Sequence, residues 1–242
     1  MIPKRIYYVW FGKKELPKQV KKNIESWKKF NPTFDIIQID ESNYDISKFK
    51  FCKEAYDAKS WAFASDVARL DVIYNNGGFY FDTDVEMVKS IDPLRQEKSV
   101  WGLEGINAVN SGLIIGANKY DDDLGQILKI YSKKHFNINN EDSVITTQII
   151  GDYFVTQGLK PINKTQKLAN GTKIFASQYF APYHWWGGGK VTSKTIAIQQ
   201  YSKSWGQKKR ISFKQKLKMN GFYYAYPVFH LLQKIKRGIK NE

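Results

Sequence analysis

Three short apolar runs, separated by two segments of helical period, constrain this chain more than any other feature. The runs are RIYYVWFG (residues 5–12), FDIIQID (34–40) and GFYF, which opens at Gly78. Short apolar runs rich in aromatic and β-branched residues and bounded by turn signals read as buried strands. Between the first two, PKQVKKNIESWKKF places Val20, Ile24 and Trp27 at helical spacing, and Asn31-Pro32 stops it. Between the second and third, residues 55–74 form the clearest helix, with Phe63, Val67, Leu70 and Tyr74 on one face and NNGG as its stop. A β-α-β-α-β order predicts a three-layer α/β domain with a mixed, largely parallel sheet.

The third run continues as GFYFDTDVEMV and is expected to be one strand. SVWGLE, SGLIIGA and TIAIQQY (195–201) read as further strands, and DDLGQILKIYSKK and SVITTQIIGDYFVTQG as helices. The triplet Asp121-Asp122-Asp123 is expected to cap the helix after it. YHWWGGG (183–189) reads as a mobile acceptor or lid loop, or as a loop anchored by core aromatics. His135 and His230 read as structural. The chain has 242 residues and no low-complexity linker, which suits one core-bearing domain with an appendage. A composition shift near Trp205 divides it into 1–206 and a basic, aromatic helical extension, 207–242. One cysteine, Cys52, excludes an internal disulfide framework and points to a reducing compartment. The opening MIPKRI has no apolar h-region and no apolar run approaches a membrane span, so a secretory signal and a bilayer-spanning helix are not expected.

The third run carries the chemistry. Asp82 and Asp84 follow three aromatic residues, although aspartate is a poor strand former and costly to bury alone. In open α/β sheets ligands bind beyond the carboxyl ends of the strands. Residues i and i+2 of an extended segment point the same way, so both carboxylates would face one point. A hard divalent cation relieves their repulsion, and Mg²⁺ or Mn²⁺ characteristically takes one or two carboxylates together with phosphate oxygens. The alternative is a pair of solvated turn aspartates. Asp66 and Arg69 stand three apart on the preceding helix, either an ordinary ion pair or part of the same site.

The string AKSWAFASDVARLDVIYNNGGFYFDTDVEM, with IPKRIYYVWFG, SWKKFNP and NSGLIIGA, resembles the glycosyltransferases with a DXD-containing sugar-binding region. That group includes capsular-polysaccharide and mannosyltransferase relatives. The likeness covers roughly residues 2–120, is patchy to about Trp205 and is absent beyond. It implies a GT-A (Rossmann-like) nucleotide-diphospho-sugar transferase that moves a sugar, from UDP above all, to a saccharide or lipid-linked saccharide with retention. By motif, it implies that Asp66 and Arg69 contact the donor sugar and its diphosphate. It places Asp82 toward the ribose or sugar and, partly through water, toward Mn²⁺ or Mg²⁺, with Asp84 as the direct metal ligand. Trp10 matches the position beside the base, or is a core tryptophan. Asn110 and Ser111 match a segment beside the donor sugar, and Ser204 and Trp205 one that closes over the diphosphate. Relatives carry a histidine pair before that Ser-Trp; here Gln199 and Gln200 replace it. Gln200 is therefore expected near the metal as a weak neutral ligand.

Two other readings compete. A haloacid-dehalogenase-like phosphatase also uses D-x-D after an apolar strand, but needs Thr or Val where Glu86 stands. A catalytically weakened homologue would bind anionic lipid or nucleic acid through its basic surface. Residues 207–242 hold ten Lys or Arg and one acid, +9 of the chain's net +15. Cations interleaved with aromatics fit an anionic membrane surface, which implies a cytoplasmic protein on the inner face of the plasma membrane. No nucleic-acid motif accompanies them, and nucleic acid is not an expected partner.

Overall fold

The computed structural model describes residues 1–202, the side chains of 141–143 excepted, and residues 219, 221 and 225 beyond them. The extension 207–242, Ser204 and Trp205 therefore lie outside the described segment. Nine strands and five α-helices are described: β1 (Arg5–Val9), α1 (Lys18–Phe30), β2 (Asp35–Ile39), α2 (Lys50–Asp57), α3 (Trp61–Asn76), β3 (Gly78–Tyr80), β4 (Val85–Met87), β5 (Ser99–Gly102), β6 (Ile115–Ala117), α4 (Asp122–Tyr131), α5 (Thr146–Thr156), β7 (Gln166–Lys167), β8 (Lys173–Phe175) and β9 (Ala197–Gln199). No described helix is long and apolar enough to cross a membrane.

Seven strands form one sheet in the order β2-β1-β3-β6-β5-β8-β7, and β4 and β9 form a separate ribbon. β1 pairs in parallel with β2 and β3, and β5 with β8. β6 runs antiparallel to both β3 and β5, and β7 antiparallel to β8. The sheet is mixed, and five of its seven strands share one direction. The ends of β1, β3 and β5 consequently meet at one rim, where Trp10, Asp82 and Glu104 stand.

Both faces of the sheet are covered, and the period-2 alternation of the strands sorts side chains between two cores. Tyr7, Val9, Tyr80, Trp101 and Ile115 enter the core beneath α2–α5. Ile6, Tyr8, Phe79, Phe81 and Val100 enter the core beneath α1 and the β4–β9 ribbon. α1 buries Val20, Asn23, Ile24 and Trp27 and leaves its lysines to solvent. Trp27 is fully buried, and its Nε1 donates to the Val85 carbonyl at 2.8 Å, which anchors the ribbon.

Two expected elements divide. Residues 55–74 are not one helix: Lys59 adopts φ 59°, and the Lys59 and Ser60 amides donate back to the Tyr56 and Ala55 carbonyls at 2.9 Å. That left-handed C-cap ends α2 and lets α3 start in a new direction. Nor is GFYFDTDVEMV one strand. The Val85 amide donates to the Asp82 carbonyl at 3.0 Å, so the chain turns at Asp82–Asp84 and moves from the main sheet to the ribbon. In the same way SGLIIGA begins as a turn, and only Ile115–Ala117 is strand. Asp121 does cap α4, its side chain accepting from the Leu124 amide.

Candidate active site

α3 brings the basic member of the site to the rim. Its axis places Ser65 and Arg69 on one face, four residues apart, directed at the end of β3. Arg69 is only 4% exposed. Its Nη2 lies 3.1 Å from both Asp66 Oδ1 and Asp82 Oδ1. Nε donates to the Ser65 carbonyl at 3.1 Å and Nη2 to the Ser65 hydroxyl at 2.7 Å. Nη1 reaches Ser111 Oγ and Asp82 Oδ2, each at 3.4 Å. The guanidinium also lies over the Tyr80 ring, 4.9 Å from its centre. A planar five-donor group with its fork fixed this way binds carboxylates and phosphates alike. Burial alone would lower its pKa, but Asp82, Tyr80 and Asp66 hold it above the ordinary arginine value. Burial pushes Asp66 up to about 6, against the pull of Arg69 and a hydrogen bond donated by the Thr146 hydroxyl.

Asp82 and Asp84 come together through a turn, not through the alternation of a strand. Three elements hold it. The Asp82 amide donates to the Gly112 carbonyl at 2.8 Å, the Tyr80 hydroxyl donates to Asp82 Oδ1 at 2.9 Å, and Asn23 of α1 donates from Nδ2 to the Thr83 carbonyl at 2.8 Å. A β-carbon on Gly112 would stand 1.9 Å from Asp82 Oδ2 and 3.1 Å from Arg69 Nη1, so the bare glycine is what leaves the Asp82 carboxylate its place. Asn110 shapes this peptide: its Oδ1 accepts from the Gly112 amide at 2.7 Å and its Nδ2 donates to Glu104 Oε2 at 3.0 Å. Ser111 is fully buried. Asn110 and Ser111 thus sit beside the aspartates, and their contacts are with the protein's own machinery.

The strap that follows β9 completes the site from far along the chain. β9 lies against β4 with Gln199 opposite Val85. The Gln200 amide donates to the Asp84 carbonyl and the Ser202 amide to Asp84 Oδ2, both at 3.0 Å. The Gln200 side chain turns elsewhere: its Oε1 accepts from Asn23 at 3.3 Å and its Nε2 donates to Glu86 at 3.0 Å. The Gln199 carboxamide is the one that acts on Asp84, drawing its proton affinity down. Gln199 is 6% exposed, and its Oε1 is buried with no hydrogen-bond partner among the described residues. Burial and then the negative charge of Asp82 push Asp84 up to about 7, with Gln199 and the Ser202 amide pulling the other way.

A cavity of ≈ 90 Å³ opens over these groups, with Arg69, Asp82 and Asp84 in its wall beside the aromatic rings of Trp10, Trp61 and Tyr80. Trp10 is 8% exposed and donates from Nε1 to the Lys14 carbonyl at 2.6 Å, so it belongs to the core and to the cleft at once. A larger cavity of ≈ 520 Å³ lies between α3 and α4, around Tyr74 and Tyr120. It contains neither aspartate of the D-x-D pair, and the chemistry decides for the smaller one. In the 183–189 loop His184 stacks on Trp186 at 4.6 Å, and Trp185 is 47% exposed. Its glycines form a tight turn: Gly189 has φ +80°, and a β-carbon there would stand 2.1 Å from the Pro182 carbonyl oxygen. His135 pairs with Glu54 at 3.0 Å, away from the site; His230 lies outside the described residues.

The donor set fits a hard divalent cation. Among the described residues no three His, Cys, Asp or Glu side chains gather on one point. The protein's ionic contribution is therefore the two carboxylates, with the Gln199 oxygen beside them. Incomplete protein coordination of this kind leaves positions for phosphate oxygens and water.

Comparison with known proteins agrees with the fold and the motif. Residues 17–101 match the family described as glycosyltransferase sugar-binding region containing DXD motif. The structure resembles PaToxG glycosyltransferase with a TM-score of 0.52 at 17% identity, over 64% of this chain and 68% of that one. It also aligns with the galactosyltransferase LgtC in complex with donor and acceptor sugar analogues, with a TM-score of 0.42 at 12% identity, over 72% of this chain and 74% of LgtC. No curated protein matches the sequence. The fold is the GT-A glycosyltransferase fold, and its rim carries the D-x-D pair of the matched region. The chain thus shares the GT-A fold and, over residues 17–101, the sugar-binding region that carries the DXD motif.

Proposed function

We propose that this protein is a metal-dependent, retaining hexosyltransferase that takes a sugar from a nucleoside diphosphate donor, UDP-linked, and delivers it to a saccharide or lipid-linked saccharide in surface-polysaccharide or glycoconjugate synthesis. One observation carries the reading: Arg69 is locked between Asp66 and Asp82 at the floor of an aromatic-walled cleft, with Asp84 held opposite by Ser202. A fixed cation beside two carboxylates is suited to a diphosphate that carries a sugar.

Asp82, Asp84 and Gln199 Oε1 would hold Mn²⁺ or Mg²⁺. The ion, when bound, stabilises the charge that develops on the departing diphosphate. The protein's own residues do the remaining work. Arg69 presents its guanidinium to the same leaving charge without reorganising, since Ser65, Asp66 and Tyr80 fix it. Asp66 and Asp82 face the sugar and ribose hydroxyls as acceptors, and Trp10 and Trp61 flank the base. Asn110 and Ser111 shape the side of the site nearest the sugar. In the retaining reaction the C1–O bond to the diphosphate breaks while a C1–O bond to the acceptor forms on the same face. The acceptor's proton passes to the departing phosphate oxygen, so no protein nucleophile is required.

Asp82 is gripped by Arg69 and Tyr80, which is unsuited to the free nucleophile a dehalogenase-like phosphatase needs. The test is a nucleotide-sugar panel with Mn²⁺. Hydrolysis or transfer from a UDP-sugar, lost in Asp84→Ala, is expected. Thermal stabilisation by UDP and Mn²⁺ together, and by neither alone, is expected as well. A protein inert to every nucleotide sugar and unshifted by UDP with Mn²⁺ would overturn the reading. The extension 207–242 is proposed to contact an anionic membrane surface on the cytoplasmic side, which its +9 charge supports.

A further inference from the structure

Asp66 is held by groups from three helices. On its own helix, α3, its Oδ1 lies 3.1 Å from Arg69 Nη2. Its other oxygen, Oδ2, accepts a hydrogen bond from the hydroxyl of Thr146, the first residue of α5. Thr146 Oγ1 in turn accepts from the Tyr131 hydroxyl at 3.1 Å, and Tyr131 is the last residue of α4. Thr146 and Tyr131 are both buried, and the Tyr131 ring packs T-shaped against Phe51 of α2 with ring centres 5.3 Å apart. The direction of the chain is forced. A carboxylate can only accept, so the one Thr146 hydroxyl proton goes to Asp66, and the threonine oxygen is left to take the Tyr131 proton. Arg69 does not depend on Asp66 for its place, because Ser65 and Asp82 hold the same Nη2, at 2.7 Å and 3.1 Å.

We infer that Thr146 is a positioning residue for Asp66: with Tyr131 behind it, its hydroxyl keeps one carboxylate oxygen off Arg69 and so sets the direction in which Asp66 meets the donor sugar. The inference rests on reading Asp66 as a carboxylate that faces that sugar. An aspartate three residues before an arginine on a helix, if unrestrained, can turn both oxygens onto the guanidinium fork, the bidentate arrangement such pairs favour. Here that turn would withdraw Asp66 from the cleft. A hydrogen bond to a charged group in a dry setting is strong enough to oppose it, and a second bond in series polarises and strengthens the first. The charged members of the site lie on α3 and on the turn after β3, and α4 and α5 thereby act on it without contributing a charge of their own.

Thr146→Val keeps the shape of the side chain and removes its hydroxyl. Turnover of the active UDP-sugar with Mn²⁺ is expected to fall about tenfold. Affinity for UDP with Mn²⁺, read by calorimetry, is expected to stay within about twofold, because Arg69 and the D-x-D pair keep their other supports. Thr146→Ser restores a hydroxyl and is expected to recover most of the turnover. Thr146→Val also leaves the Tyr131 hydroxyl buried without its acceptor, which lowers stability. Adding Tyr131→Phe removes that orphan, so the double variant is expected to regain stability and to keep the loss of turnover. Turnover that returns together with stability in the double variant would overturn the inference, as would equal losses of turnover and of UDP affinity in Thr146→Val. A wild type that turns over no nucleotide sugar defeats the functional reading instead. The carbon-13 signal of the Asp66 carboxyl, read in the ligand-free protein, then still decides the contact. It is expected to move in Thr146→Val and to stay in Thr146→Ser, and an unmoved signal in Thr146→Val overturns the inference.

Discussion

Asp82 Oδ2 occupies the place where a Gly112 side chain would begin, 1.9 Å from the β-carbon position. The relationship predicts that Gly112→Ala displaces the Asp82 carboxylate without touching either core. A misplacement of about 1 Å costs on the order of a hundredfold in rate. UDP-sugar hydrolysis by Gly112→Ala is expected to fall by about that factor, with the far-ultraviolet circular dichroism unchanged. Activity within a few-fold of wild type would show that Asp82 need not be held where it is.

Arg69 neutralises two carboxylates inside the protein, so its removal leaves them facing each other. Breaking a buried pair by deleting one partner costs about 3–5 kcal/mol. Arg69→Met is expected to lose stability on that scale in urea denaturation and to lose donor turnover. Arg69→Lys keeps the charge but cannot span Ser65, Asp66, Asp82 and Ser111 at once. It is expected to recover much of the stability and little of the turnover, so the two measurements separate.

The pH dependence follows from carboxylates whose folded-state affinities for protons are raised. Asp84 stands at about 7, and Asp66 and Asp121 at about 6, chiefly through burial. Between about pH 4 and pH 7 the folded chain therefore binds more protons than the unfolded one, and stability falls as pH rises through that window. The metal-free protein is expected to melt several degrees higher at pH 5.5 than at pH 8. Mn²⁺ with UDP competes with the Asp84 proton, so its stabilising effect is expected to grow from pH 5.5 to pH 8. A melting temperature that climbs with pH in the metal-free protein would contradict these assignments.

Gln199 and Gln200 are adjacent in sequence and point to different neighbours. Gln199 acts on Asp84 and keeps a buried oxygen without a hydrogen-bond partner among the described residues, whereas the Gln200 carboxamide is committed to Asn23 and Glu86. Gln199→Ala is expected to weaken Mn²⁺ binding about tenfold, and Gln199→His to match or exceed the wild type. Gln200→Ala is expected to shift the melting temperature more than the metal affinity. Calorimetric titration of the three variants reads this directly, and equal losses at both positions would refute the division.

Local pattern alone carried the architecture a long way. The apolar runs and helical periods placed β1, β2, α1, α4 and α5, because each buries a face whose spacing is written in consecutive residues. The D-x-D pair at the carboxyl end of an inner strand, with Asp66 and Arg69 one helix earlier, was legible for the same reason: all four lie within 19 residues. The break at Lys59 and the turn after Asp82 were not, since a left-handed C-cap at a lysine and a bend between two valid strand segments leave the apolar period intact.

What the sequence by itself determined is the layered α/β frame and the acidic rim on it. Only the tertiary structure decided how the rim is finished. Ser202 reaches Asp84 across 118 residues, the Gln200 side chain turns to Asn23 and Glu86, and Gly112 yields its side chain to Asp82. These contacts depend on which strands become neighbours. A two-residue alternation tells which face a side chain takes, but the pairing of strands far apart in sequence, which carries β9 to β4, is fixed by the packing of the whole chain.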